Sequence, residues 1–198
     1  MTLVERCDKV APAASGKAGG FLSPGGWGNK QTRELHTKSF ELHEKLAKDL
    51  DVTSFRKIRT LSVQAGESGL ADPLVEWLDG DIQQNSVLDE NTAQVTPSEL
   101  SSKLHESATK NGLKTLYSTE CTGISFKDEA RSVVNGVHVK NKSDDSQSIT
   151  LECDVVVVAM GPWTTRAASW FPDADFPMTG IKSTSIVKLS PGITISTP

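Results

Sequence analysis

Between Ser15 and Trp27 the sequence reads SGKAGGFLSPGGW, five glycines in thirteen residues, soon after a short strand-like opening, TLVERCDK. Glycine accepts positive φ and lets another backbone or a ligand come close, so Gly19-Gly20 and Gly25-Gly26 mark places where the chain turns hard or is closely approached. Flexible linkers are also rich in glycine, but they lack large apolar side chains. Phe21, Leu22 and Trp27 interleave with these glycines, so the segment reads as packed structure. A fold with this much bare backbone just past its first strand must bring something against it, either another part of the chain or a ligand.

The remaining pattern alternates helices and strands. From Arg33 to Leu50, the residues Leu35, Leu42, Leu46 and Leu50 recur on one helical stripe, widened by Phe40 and Ala47, which predicts an amphipathic helix. His36 and His43 lie on that helix with no carboxylate or thiolate three or four residues from either, so no metal site is expected. SFRKIRTLSVQA (54–65) has the alternation and β-branched content of a strand, and GESGLADPLVEWLDGD (66–81) reads as an irregular excursion in which Trp77 packs locally. VTPSEL carries a helix start, with Thr96 as N-cap, Pro97 at the first helical position and Glu99 three residues after the cap. Leu100, Leu104 and Ala108 form the buried stripe of this second helix, and Asn111-Gly112 ends it.

Several short strands separated by charged or Asn-Gly turns follow from 112 to 154, the pattern of an antiparallel meander, with KNKSDDSQS (140–148) as a solvated hairpin tip. Val155 to Ala159 is different: a continuous apolar run without alternation, ending at Gly161-Pro162. Such a run predicts a parallel strand covered on both faces, with its end turned towards a ligand.

Composition narrows the classes. Twenty-one basic against twenty-five acidic residues give a net charge of −4, and no dense block of one sign suggests a nucleic-acid partner or an anionic membrane surface. The longest apolar run, Val155 to Met160, is far shorter than the roughly 20 residues of a spanning helix, and no secretory leader is recognised. A soluble, cytoplasmic protein is expected. Cys7, Cys121 and Cys153 are odd in number and lack CxxC spacing, which predicts reduced thiols; Cys121 and Cys153 read as small buried hydrophobes rather than nucleophiles.

Taken in order, TLVER, SGKAGGF, TAQVTPSEL, ECTGISF, CDVVVVAMGPWT and TGIKSTSIVKL resemble the FAD-dependent oxidoreductases of the D-amino-acid oxidase and glycine oxidase type, the DAO family, over nearly the whole chain. The resemblance implies a mixed α/β fold: a Rossmann-like FAD-binding domain with a parallel sheet, an antiparallel meander and the start of a substrate domain. It implies FAD as cofactor and an amine or amino acid as substrate, oxidised at a C–N bond by hydride transfer to the flavin. By the same resemblance Glu5 accepts from the ribose hydroxyls and Arg6 is its backbone and charge neighbour. Ser15, Gly16, Lys17, Ala18, Gly19 and Gly20 form the second glycine-rich loop, whose amides run beside the pyrophosphate and flavin. Lys17 either neutralises a phosphate, lies near the flavin or is a solvated lysine. Cys121 and Thr122 correspond to the backbone that meets the adenine, and Met160, Gly161 and Trp163 to the strand end and helix passing close to the nucleotide. No catalytic acid, base or carboxylate clamp is assigned.

The resemblance also divides the chain, with 1–53 and 92–176 as the FAD-binding part and 54–91 and 177–198 as a partial substrate domain. A GxGxxG phosphate turn belongs roughly 20 residues before the acidic ribose ligand, and residues 1–198 contain none. The expectation is therefore a form of the enzyme truncated at both ends, with weak or no activity. Two other readings stand beside it: a flavin-free binding or regulatory module on the same scaffold, and a nicotinamide-dependent Rossmann enzyme, against which the meander between helix and apolar strand argues.

Overall fold

A computed structural model of the chain describes residues 1–25, 30–66, 71–76, 78, 80–142, 148–171 and 174–182. They fall into two compact units, one of residues 1–120 with 141–145 and one of residues 121–140 with 146–198.

In the first unit, strand β1 (Thr2–Val4) lies parallel to β5 (Lys114–Leu116), in the register Thr2↔Lys114 to Val4↔Leu116. The pairing continues past β1, because Glu5 N–H donates to the Leu116 carbonyl (2.9 Å) and Thr119 N–H donates to that of Glu5 (3.0 Å). Everything between the two strands is crossover, as a parallel pair requires. It holds a four-residue helix α1 (Ala14–Lys17), strand β2 (Phe21–Leu22), helix α2 (Arg33–Asp49), the long strands β3 (Arg56–Ala65) and β4 (Ile82–Gln94), and helix α3 (Pro97–Lys110). Strands β2, β4 and β3 form an antiparallel sheet in that order, with β4 central. Its polar sequence, QQNSVLDENTAQ after Ile82, gives no strand signal. Pairing on both edges holds it extended regardless of propensity, and buried Thr92 satisfies its hydroxyl on Thr60 Oγ1 (2.8 Å) and the Ile58 carbonyl (2.6 Å).

The core of this unit is Ala47, Val52 and Val95, with Leu22, Leu50, Phe55 and Leu100 packed on it. It draws on α2, β2 and α3 together. The helix α2 has the predicted limits, but its buried face is turned from the expected stripe: Phe40 and Ala47 are buried while Leu35 is 68% exposed and Leu42 is also exposed. Lys57 of β3 closes over the Phe40 ring at 4.4 Å and pairs with Glu44 at 3.0 Å, so the β3 side of α2 is the side that is covered.

Helix α3 begins at Pro97 after Thr96, as predicted, yet Thr96 makes no side-chain cap. The Glu99 carboxylate turns instead to the segment after α2, accepting from Thr53 N–H and Oγ1 (both 2.8 Å) and Ser54 N–H (3.0 Å), and Thr96 N–H donates to Ser54 Oγ at 2.9 Å. Gly112, at φ +91, ends the helix as expected.

The second unit holds most of the meander: β6 (Thr119–Phe126), whose first two residues belong to the first unit, β7 (Val134–Asn141) and β8 (Ser148–Glu152), adjacent in that order. Strands β7 and β8 are antiparallel from Gly136↔Glu152 to Lys140↔Ser148, and Val139 is fully buried. Phe126 meets Phe171 edge-on at 5.9 Å. Val155–Ala159 departs from expectation. It belongs to no sheet among the described residues, and Val155 and Val157 are 78% and 82% exposed. An apolar run becomes a two-sided core strand only where other elements cover both its faces, and none of the described residues does so. A 3-10 helix, Gly161–Ser169, follows it. Trp77 and most of the expected hairpin tip, 143–147, lie outside the described residues.

Candidate functional site

Glu5 stands at the end of β1, held by its backbone bonds to Leu116 and Thr119. Its carboxylate is oriented locally: Oε1 accepts the Cys7 N–H at 2.7 Å. Cys7 is held in turn, because its carbonyl accepts Ser118 N–H at 2.9 Å. The carboxylate is thus fixed at a strand terminus by its own backbone two residues on, an arrangement that suits an acceptor for vicinal hydroxyls. Arg6 pairs with Glu120 at 3.4 Å, half-exposed, so the pair contributes little to stability and leaves Glu5 to its backbone anchor.

The glycine segment resolves into positions with different reasons for being bare. A Cβ on Gly16 would collide with the Ala11 carbonyl oxygen, and one on Gly20, at φ +72, with that of Val95. Gly20 also accepts Val95 N–H at 2.9 Å. Both are therefore required by the fold itself. Among the described residues, its chain neighbours apart, none places an atom within 4 Å of where a Gly19 Cβ would lie, which leaves that side of the backbone open. Ser15, Gly16 and Lys17 lie in α1, where Lys17 is exposed in the last turn, and Ala18 follows as the extended C-cap.

Past β2, the Ser23 Oγ is buried and has no hydrogen-bond partner among the described residues; Thr32 Oγ1 shares that condition. A hydroxyl cut off from water and left unpaired forfeits about 1–3 kcal/mol. Ser23 offers no signal in sequence, since a serine between Leu22 and Pro24 reads as a turn residue.

In the second unit Cys121 and Thr122 lie on β6, with Thr122 Oγ1 donating to the His138 carbonyl at 3.3 Å. Met160 precedes the 3-10 helix, Gly161 takes φ +55 with open space at its Cβ position, and Trp163 is half-exposed. The residues carried over by resemblance thus form two groups, one on each unit. Among the described residues no group of three His, Cys, Asp or Glu is placed to hold a metal; His43 uses Nδ1 on the Ser39 carbonyl at 2.7 Å. No helix among the described residues is long and apolar enough to cross a membrane.

Comparison with known proteins gives these features a context. A Schizosaccharomyces pombe protein named as an oxidoreductase is 27% identical over 174 residues, which cover 79% of this chain and 45% of that protein. The fold is similar to glycine oxidase from Bacillus cereus (TM-score 0.68, 20% identity, 85% of this chain and 50% of that one). It is also similar to L-proline dehydrogenase from P. horikoshii (TM-score 0.68, 16% identity, 87% and 49%). L-Amino acid deaminase from Proteus myxofaciens aligns comparably (TM-score 0.67, 16% identity, 89% and 43%). The chain spans about half the length of these relatives or somewhat less. Residues 1–192 match the DAO family of FAD dependent oxidoreductases, and the chain belongs to that family.

Proposed function

We propose that the protein is a flavoenzyme that oxidises a C–N bond of an amine or amino acid, and that residues 1–198 by themselves hold FAD weakly. The observation that carries the reading is Glu5, a carboxylate fixed by the Cys7 amide at the end of a parallel strand, in a chain of the FAD-dependent family. Glycine oxidase, L-proline dehydrogenase and L-amino acid deaminase, whose folds resemble this one, are all named for amino-acid substrates.

The residues of the first unit fit the cofactor. Glu5 accepts from the ribose hydroxyls of the adenosine, and the open side of Gly19 lets the dinucleotide lie against bare backbone. Lys17, exposed two residues before Gly19, would supply a positive charge to the diphosphate. Cys121, Thr122, Met160, Gly161 and Trp163 are candidates on the second unit by resemblance alone. Bound flavin supplies the hydride acceptor; the chain supplies binding and orientation. Weak binding is proposed because residues 1–198 contain no GxGxxG turn, so the diphosphate lacks the amides such a turn offers at a helix N-terminus. The same reading divides function between 1–53 with 92–176, for the cofactor, and 54–91 with 177–198, for substrate, in the cytoplasm.

The test is direct. Purified with added FAD, the protein should show saturable binding at equilibrium and lose the flavin spectrum on desalting. Flavin retained near one per chain would refute weak binding, and no saturable binding at all would refute the flavin assignment. The exposure of Val155 and Val157 supports a second reading, a flavin-free module whose apolar run is covered by a partner; absence of FAD binding is what that reading requires.

A further inference from the structure

We infer that the protein forms a two-fold dimer in which the outer edge of β3 pairs with the same edge of a second copy. The inference is independent of the flavin reading.

Strand β3 lies at the edge of its sheet. The order is β2-β4-β3, so among the described residues no strand pairs with the outer side of β3. That edge is also regular. The β3–β4 register shifts at Ile58/Thr60, Thr60/Leu61 and Gln64/Ala65, and each time the extra residue is in β4, which leaves β3 unbulged over its 10 residues. Bulges, charges and prolines are what natural edge strands set against pairing with another chain. From Thr60 to Ala65 the sequence TLSVQA has neither charge nor proline, so this half of β3 is a template for a further strand.

The residues decide which strand fits. Charge on β3 is confined to Arg56, Lys57 and Arg59 at its start. A parallel copy in register would set these cations beside their own counterparts, whereas an antiparallel copy sets them beyond the uncharged half. With the two-fold axis at Ser62, that residue faces itself, Leu61 lies opposite Val63 of the second copy, and Val63 opposite its Leu61. Opposed residues of an antiparallel pair share a face, so these apolar side chains meet on one side of the joined sheet. Val63 is 44% exposed, and Val87, in register with Leu61, is 38% exposed beside it. The pairing therefore covers a patch that the single chain leaves in water.

Charge is complementary in the same arrangement. By strand alternation Arg59 shares the face of Leu61 and Val63, and it points to the loop end of the second copy. That end carries the exposed acidic residues Asp72, Glu76 and Asp81. Asp81 is placed beside the end of β3 by the Gly66 N–H, which donates to its carbonyl at 3.0 Å. Asp72 is placed against β4 by Asn85 Nδ2, which donates to its carbonyl at 3.0 Å. Among the described residues neither Arg59 nor these carboxylates has an ion pair. A two-fold axis brings opposite charges together at both ends of the shared edge.

The experiment is sedimentation of the unaltered protein over about 1–100 µM, where a reversible dimer is expected. Val63→Lys, at an exposed position, should raise the dimer dissociation constant at least about tenfold with an unchanged circular dichroism spectrum. Arg59→Glu should raise it about threefold or more. A cross-linking pair is read separately with diamide as the thiol oxidant. Ser62→Cys, on the axis, should give a disulfide-linked dimer. Gln64→Cys, opposite Thr60 of the second copy, should give no more than the unaltered protein, whose own cysteines set the background. A monomer at every concentration overturns the inference, as does a dimer that Val63→Lys and Arg59→Glu both leave intact. If Val63→Lys unfolds the chain, cross-linking decides: no excess at position 62, or as much at 64 as at 62, overturns the pairing.

Discussion

Gly16, Gly19 and Gly20 look alike in the sequence, yet their neighbours separate them. Gly20 sits at φ +72 with the Val95 carbonyl where a side chain would be, whereas Gly19 faces open space. Gly20→Ala should therefore cost about 1–3 kcal/mol, from the left-handed conformation and the displaced strand contact. Gly19→Ala should stay within about 0.5 kcal/mol of the unaltered protein in the same denaturant titration. On the proposed function Gly19→Ala is also the substitution that weakens FAD, so stability and affinity separate across two adjacent glycines. Equal losses of stability at the two positions would mean that the open side of Gly19 is filled. That Glu5 ends a strand was legible, because an apolar run closing on an acidic residue is a pattern of identity and position. Ser23 was not, because what distinguishes it is the lack of a partner, and partners are set by chains far away in sequence.

Among the elements, α3 shows how a correct boundary can hide a different cause. Thr96, Pro97 and Glu99 spell a capping box, and the helix does begin there. The carboxylate nevertheless reaches Thr53 and Ser54, and Ser54 in turn takes the Thr96 amide, so α3 is tied to the end of α2. These bonds, first among them those from the Ser54 and Thr53 side chains, hold the Glu99 pKa at about 2 against an ordinary 4.5. A depressed carboxylate pKa contributes stability that is fully present above 4.5 and is lost as pH falls from 4.5 towards about 2. Asp128, lowered by Ser132, acts with the same sign. Glu99→Gln should lower the melting temperature at neutral pH and flatten its fall over that acidic window; an unchanged pH profile would refute the tie. Helix α2 makes the complementary point. Its period was legible from Leu35 to Leu50, but spacing leaves open which of two adjoining faces is covered, and Lys57 over Phe40 decides that.

For the molecule as a whole, Val155–Ala159 marks the largest distance between sequence and structure. A run of valines reads as a strand buried on both faces, but Val157 is 82% exposed. Val157→Lys should therefore leave the melting temperature unchanged, whereas a lysine forced into a two-sided core would unfold it; a steep loss would show that the run is covered in the protein as purified. What the sequence by itself determined was local: the ends of α2 and α3, the turn at Gly112, the strand β3, the meander, and the family through the order of its motifs. These follow from backbone sterics and from periodicity, which act over a few residues. What only the tertiary structure decided was pairing and cover: that polar β4 is the central strand, that Gly20 and Gly16 serve the chain's own backbone, that Glu99 bridges two elements, and that two buried hydroxyls, of Ser23 and Thr32, have no partner among the described residues. Each depends on which distant segment arrives alongside, and burial and hydrogen bonding are properties of that meeting rather than of either segment alone.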